Sequence, residues 1–247
     1  MSTAVMTKQI STWSPRSLAR MAGVFQALEG TTATYGQVIV LGKLLVYGDA
    51  ATTAANILGH RPLFWVGFAS SGIGVVCHLA WALLLFDLFK PVNRRVSLFG
   101  LLIMIVGCAI QALTAVLYLA PMLVLDAGSS LKAFTAEQLQ ALAYTFLRVN
   151  AYAFDTYLVF FGLWCALIGF LVFRSTFMPR ILGVLVAISG LGWMMYLSPP
   201  IANYMFMPFI AGASAIGEIP LMLWLLIAGV NDQRWREQAS AAGLVNN

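Results

Sequence analysis

Three carboxylates, Glu29, Asp155 and Glu218, lie inside stretches of chain that are otherwise long and apolar enough to cross a lipid bilayer. An ionisable group in the middle of a membrane costs about 2.5 kcal/mol or more, so such groups face a cavity, a partner or a pathway. A low-dielectric interior favours the neutral form of a carboxyl, and a neutral carboxyl is a proton donor. The chemistry on offer is therefore proton transfer. Donation to an olefin, epoxide or carbonyl suits a cyclase or isomerase, whereas titration of the same groups suits proton-coupled movement of a solute. No nucleophile set, Walker loop, dinucleotide fingerprint, GxSxG elbow or HExxH pair accompanies them.

Further polar residues fall where helical spacing gathers them. At 100° per residue, Gln26, Glu29 and Gln37 occupy an arc of about 80°, a stripe that must face other helices or water. Ser214 and Glu218 stand one turn apart, and Pro220, which has no N–H, frees the carbonyl of Ile216. The small residues 211–215 permit close helix contact there. Tyr144, Arg148, Tyr152 and Asp155 share another helix face. On that face Asp155 is expected to pair with Lys43 or Arg148, either as an outer gate or as an interfacial ion pair. The candidate catalytic set is Glu29, Glu218 and Asp155. The candidate pocket residues are Gln26, Gln37, His78, Trp81, Gln111, Tyr152, Trp164 and Ser214. For each glutamate the alternative is a plain hydrogen bond to a neighbouring helix; for His78 it is the same, and for Trp81 and Trp164 it is core packing. With His60 placed outside the membrane, neither a bis-histidine haem nor a histidine-rich metal site is expected, and no cofactor is expected.

The elements that must position these groups follow from composition. The chain has 247 residues, 61% hydrophobic and 9% charged, with mean hydropathy +0.87; soluble domains carry roughly 25% charged residues. Crossing the hydrocarbon takes about 20 apolar residues. Six spans are expected, near residues 21–46, 62–86, 96–125, 150–173, 181–197 and 207–230. Pro199 and Pro200 mark the end of the fifth. A short helix at about 49–59 is expected outside the membrane, with Asp49 as its cap. A second, at about 136–148, starts from the Thr135/Gln138 capping box and runs into the fourth span. The fold class is thus all-α, a polytopic membrane helix bundle with a lead-in over 1–19, a membrane domain over 20–230 and a polar tail over 231–247. Cys77, Cys108 and Cys165, isolated within spans, are expected to pack as small hydrophobes.

Orientation follows from basic residues. With the N-terminus cytoplasmic, ten Lys and Arg fall in inner segments and four (Lys43, Arg61, Lys132, Arg148) on the outer side, which satisfies the positive-inside rule with both termini in the cytoplasm. The net charge of +5 is divided among short loops, so it marks topology rather than a nucleic-acid surface. Trp65, Tyr118, Tyr144, Trp193, Tyr196, Tyr204 and Trp235 are placed in an interfacial aromatic belt.

The wording of residues 48–58 (GDAATTAANIL), 83–86 (LLLF) with 90–94 (KPVNR), 157–163 (YLVFFGL), 173–175 with 179–183 (FRS, PRILG), and 217–218 with 221–226 (GE, LMLWLL) resembles a bacterial membrane family defined by domain of unknown function 4386. The resemblance spans residues 20–230 and implies a multi-helix inner-membrane protein without an assigned activity. Against the family's pattern, Asn150 and Trp164 stand where histidine is frequent, and Gln26 and Glu29 lie in a first span that is usually apolar. Three roles remain open at this point: an acid/base enzyme acting on a hydrophobic or lipidic small molecule, a small proton-coupled transporter or channel, and a non-catalytic subunit docking a membrane-protein partner.

Overall fold

In a computed structural model of the chain, which describes residues 14–126 and 131–244, every regular element is helical. Helix α1 (Pro15–Ala33) passes through a π-helical stretch, Thr34–Val40, into α2 (Leu41–Leu44). The short α3 (Ala50–Gly59) precedes α4 (Arg61–Phe89), α5 (Arg94–Leu125) and α6 (Ala136–Arg174). Helix α7 (Arg180–Met194) ends in a 3-10 turn, Met195–Leu197. Then follow α8 (Pro199–Met205), a second π stretch (Phe206–Ile210), α9 (Ala211–Ile227) and α10 (Asp232–Ala241).

Local sequence accounts for most helix ends. Ser14, Asp49, Asn93, Thr135 and Asn231 each accept a backbone N–H from the first turn of α1, α3, α5, α6 and α10. The Thr135/Gln138 capping box is complete, and α6 runs unbroken from it. Thr52 donates its hydroxyl to Asp49 Oδ2 at 2.6 Å and its N–H to Oδ1 at 2.8 Å. These bonds hold the Asp49 carboxyl below its usual range.

By length and composition, five helices among the described residues can cross a membrane: Arg61–Phe89, Arg94–Leu125, Ala136–Arg174, Arg180–Leu197 and Pro199–Ile227. Their outward faces are apolar, with Val76 66% and Leu191 63% exposed, as contact with lipid tails requires. Three boundaries differ from expectation. The first helix begins at Pro15, inside the supposed lead-in. The last apolar segment opens at Pro199, because proline is tolerated in a first helical turn, and it closes at Ile227. Residues 232–241, within the supposed tail, form α10. There Trp235 is buried and donates Nε1–H to the Leu88 carbonyl at 2.8 Å, rather than joining an aromatic belt. Tyr118 is likewise fully buried.

Packing closes a ring: α1 on α4, α4 on α5, α5 on α6, α6 on α7, α7 on α9 and α9 back on α1. The α6–α7 hairpin is held backbone to backbone. A Cβ on Gly190 would meet the Gly162 carbonyl at 2.5 Å, and one on Gly183 would meet that of Gly169 at 2.5 Å. Small residues permit this approach where helices gain little from the hydrophobic effect. Cys77, Cys108 and Cys165 are buried and free.

Gly183→Ala should lower the thermal midpoint in detergent by several degrees, since overpacking costs about 1–3 kcal/mol. Gly72→Ala, where an added Cβ meets nothing within 4 Å, serves as the control; equal midpoints would contradict the packing. Asp49→Ala should also lower the midpoint at neutral pH. Because folding depresses the Asp49 pKa, its contribution is present above the ordinary carboxylate range and is lost as pH falls through the lowered value. The gap between Asp49→Ala and wild type, followed by thermal unfolding across acid pH, should therefore narrow.

Candidate functional site

A cavity of about 710 Å³ lies between the α1–π–α2 segment, α6 and α9, and Glu29, Asp155 and Glu218 all stand in its wall. Most of the remaining wall is apolar or aromatic, including Leu41, Phe154, Leu158, Phe161 and Ile219.

Glu29 is 6% exposed and is held at a single oxygen. Its Oε1 is 3.2 Å from His78 Nδ1 on α4, 3.4 Å from Gln111 Nε2 on α5 and 3.3 Å from the Tyr157 hydroxyl on α6. Tyr157 and His78 are themselves 3.1 Å apart. Glu29, His78 and Tyr157 thus form a triangle in which a proton can occupy any edge, the imidazole tautomer deciding which. No hydrogen bond falls on Glu29 Oε2 among the described residues. Behind this triangle, Trp81 and Trp164 pack edge to face at 4.6 Å and against the His78 ring.

Glu218 has the same arrangement on the opposite side. Ser189 donates to Oε1 at 2.5 Å, Trp193 Nε1 at 2.6 Å and Ser214 at 3.0 Å, and no bond falls on Oε2 among the described residues. All three donors are neutral groups, whereas Glu29 has an imidazole among its own. Gln26 links the two glutamates' helices by donating Nε2–H to the Glu218 carbonyl at 3.2 Å. No side chain among the described residues donates to the Ile216 carbonyl.

Asp155 is half-buried and pairs with neither proposed cation. Arg148 lies over the rings of Tyr47 and Tyr152, 5.0 and 5.6 Å from their centroids, and donates to the Tyr152 hydroxyl at 3.2 Å. Lys43 is exposed. Of the eight pocket candidates, Gln37 and Ser214 line the cavity. Gln26, His78, Trp81, Gln111 and Trp164 lie behind its wall, where Gln26, His78 and Gln111 hold the glutamates or their helices. Tyr152 points away, half-exposed beside Arg148.

Tyr157, Ser189, Trp193 and Asn150 were not among the candidates. Two signals for them exist in the sequence. Tyr157, Phe161 and Trp164 recur at i, i+4 and i+7, one helix face with a polar head. Ser189 and Trp193 sit one turn apart, and Ser189 carries the one hydroxyl in α7. The same Trp193 also fits an aromatic belt, and the sequence cannot separate the two placements.

The sequence model of a family described as domain of unknown function DUF4386 matches residues 21–229. The chain belongs to the DUF4386 family. An uncharacterised protein of Archaeoglobus fulgidus is 29% identical over 156 residues, covering 63% of this chain and 78% of the relative. No solved structure matches this DUF4386 protein.

Replacing Glu29 with leucine leaves His78, Gln111 and Tyr157 without their shared acceptor. The expected loss is about 1–3 kcal/mol, the penalty for stranded buried polar groups. Glu29→Gln keeps one acceptor oxygen and should lose less. Thermal unfolding of both variants in detergent checks this, and equal midpoints would contradict the hydrogen-bonded cluster.

Proposed function

We propose that this protein is a membrane-embedded acid/base enzyme, of the cyclase or isomerase type, acting on a hydrophobic small molecule. The convergence of carboxyls from α1, α6 and α9 on one cavity carries the reading. Six spans, counting the α1–π–α2 segment, with both termini on the cytoplasmic side of a cytoplasmic membrane, accommodate it. The basic residues support that orientation. Arg20 reaches the Ile227 carbonyl, which puts the two at a common level. Glu29 and Glu218 are each nine residues from that level, about 14 Å at 1.5 Å per residue, near the middle of a ~30 Å hydrocarbon layer.

In this mechanism Glu218, held by neutral donors, is the acid. Its unpartnered Oε2 delivers a proton to a carbon–carbon π bond, whose electron pair forms the new C–H bond and leaves a carbocation. The faces of Trp193, Tyr157 and Phe161 in the cavity wall stabilise positive charge. A second π bond closes a ring, or the charge migrates. Glu29 then removes a proton from the neighbouring carbon and restores a double bond, with the His78–Tyr157 triangle adjusting around it. One proton enters and one leaves, so the product is an isomer of the substrate.

A proton-coupled transporter would use the same carboxyls. One observation favours it: both helices that frame the outer half of the cavity contain π-helical stretches, Thr34–Val40 and Phe206–Ile210, a feature frequent at functional sites.

The test is incubation of the purified protein in heavy water with a neutral-lipid extract of its source membranes, followed by chromatography and mass spectrometry. The expected product keeps the formula of its precursor apart from one deuterium, and Glu218→Gln and Glu29→Gln reduce its formation about 10²–10⁴-fold. Absence of such an isomer, or its undiminished formation by both variants, sinks the enzyme. Uptake of a solute into proteoliposomes, driven by a proton gradient, would establish the transporter instead.

A further inference from the structure

Asp155 is the cavity carboxyl without a protein partner. Glu29 receives two hydrogen bonds and lies 3.2 Å from the His78 imidazole, and Glu218 receives three hydrogen bonds, while Asp155 has neither a hydrogen bond nor an ion pair among the described residues. It lies 19 residues from Arg174 along α6, about 28 Å at 1.5 Å per residue and so towards the other face of the membrane. Carboxylates inside membrane helices are almost always paired, yet Arg148 is engaged with two tyrosine rings and Lys43 is exposed. Among the described residues, the cavity wall contains no lysine, arginine or histidine.

A second, independent feature stands in the same wall. Asn150 is fully buried, its Nδ2 donates to the Thr114 carbonyl at 2.6 Å, and its Oδ1 has no hydrogen-bond partner. A carbonyl can only accept, so this bond sets the amide's orientation and leaves Oδ1 as an acceptor. Leaving such an oxygen unpaired costs free energy unless a donor arrives. Around these acceptors stand the aromatic residues Tyr47, Phe154, Trp193, Tyr196 and Phe206, whose faces attract cations.

We propose that the cavity binds a lipophilic ammonium ion. Its N–H groups donate to Asp155 and to Asn150 Oδ1, its charge lies against the aromatic faces, and its apolar remainder extends between Val38 and Ile219. Those two side chains line the cavity and are 57% and 49% exposed, which suits a ligand delivered from the lipid. Three carboxyls with no lining cation reject fatty acids and other anions. A quaternary ammonium keeps the charge and lacks the N–H, so it binds less well than a protonated primary amine, which has N–H groups for both acceptors. This assigns Asp155 the substrate's head group, and it rests on the preceding reading only for the choice of cavity.

The experiment is calorimetric titration of the full-length protein in phosphatidylcholine nanodiscs, with empty nanodiscs as the blank. The probes are dodecylamine, dodecyltrimethylammonium and 1-dodecanol. The amine should bind one per chain, about tenfold or more tighter than the alcohol, with the quaternary ion between them. Asp155→Asn should abolish the preference for the amine, and Asn150→Leu should reduce the advantage of the amine over the quaternary ion. The amine should also raise the wild-type thermal midpoint more than the alcohol does, a measurement that needs no variant to fold. Equal binding of amine and alcohol, or full retention of the preference in Asp155→Asn, overturns the proposal. Binding is read without turnover, so a protein that prefers the amine but forms no deuterated isomer refutes the acid/base reading alone. One that forms the isomer and ignores the amine's charge refutes this inference alone.

Discussion

A carboxyl placed among hydrocarbon must find polar partners, and in this bundle the partners of Glu29 come from three different helices. His78, Gln111 and Tyr157 reach a single oxygen from α4, α5 and α6, while the carboxyl itself hangs from α1. Each of these helices therefore has a defined rotation about its own axis, because turning any one of them by a residue withdraws a polar partner from a group that lipid cannot solvate. Glu218 imposes the same condition on α7 and α9 through Ser189, Trp193 and Ser214. Gln26 joins the two systems across the α1–α9 contact. Non-directional packing alone would define these rotations less tightly.

The two ends of the bundle differ in how firmly they are closed. At the end where α1 begins and α9 closes, Gly23 lets α1 rest directly on Leu226 of α9, such that a Cβ would lie 2.9 Å from the leucine. Helix α10 fastens that end. Asp232 accepts the Arg16 N–H, Trp235 reaches Leu88, and Gln238 accepts from Thr176 between α6 and α7. At the other end the α1–α2 and α8–α9 segments pass through wider π turns, and the cavity lies between them. The DUF4386 chain thus has its three cavity carboxyls in a wall that is otherwise mostly apolar or aromatic.

Much of this was legible from local rules. Asp49, Thr135 and Gln138 cap helices because a side-chain oxygen one turn away from an unpaired N–H is a short-range event. The long apolar runs announce membrane helices because the hydrocarbon thickness is constant. The proline pair at Pro199–Pro200 was read as a stop and is a start as well, since the fifth segment ends just before it and the same ring geometry suits a first helical turn. Their distance to a predicted span end places Trp193 and Trp235 in an interfacial belt. Each instead donates inward, to Glu218 and to Leu88, because indole serves a buried acceptor as well as it serves a headgroup.

What the sequence by itself determined is the class of protein, its apolar helices and the presence of three carboxylates too deep to be ordinary surface charges, all of which depend on composition and on spacing within one helix. Only the tertiary structure decided that the three face one cavity, that Glu29 and Glu218 are each held at one oxygen, and that Asp155 is left unpaired. Those facts concern residues on different helices, up to 189 positions apart for Glu29 and Glu218. Their meeting depends on helix rotation and on the close approach of backbones at a few glycines, and one-dimensional periodicity does not carry that information.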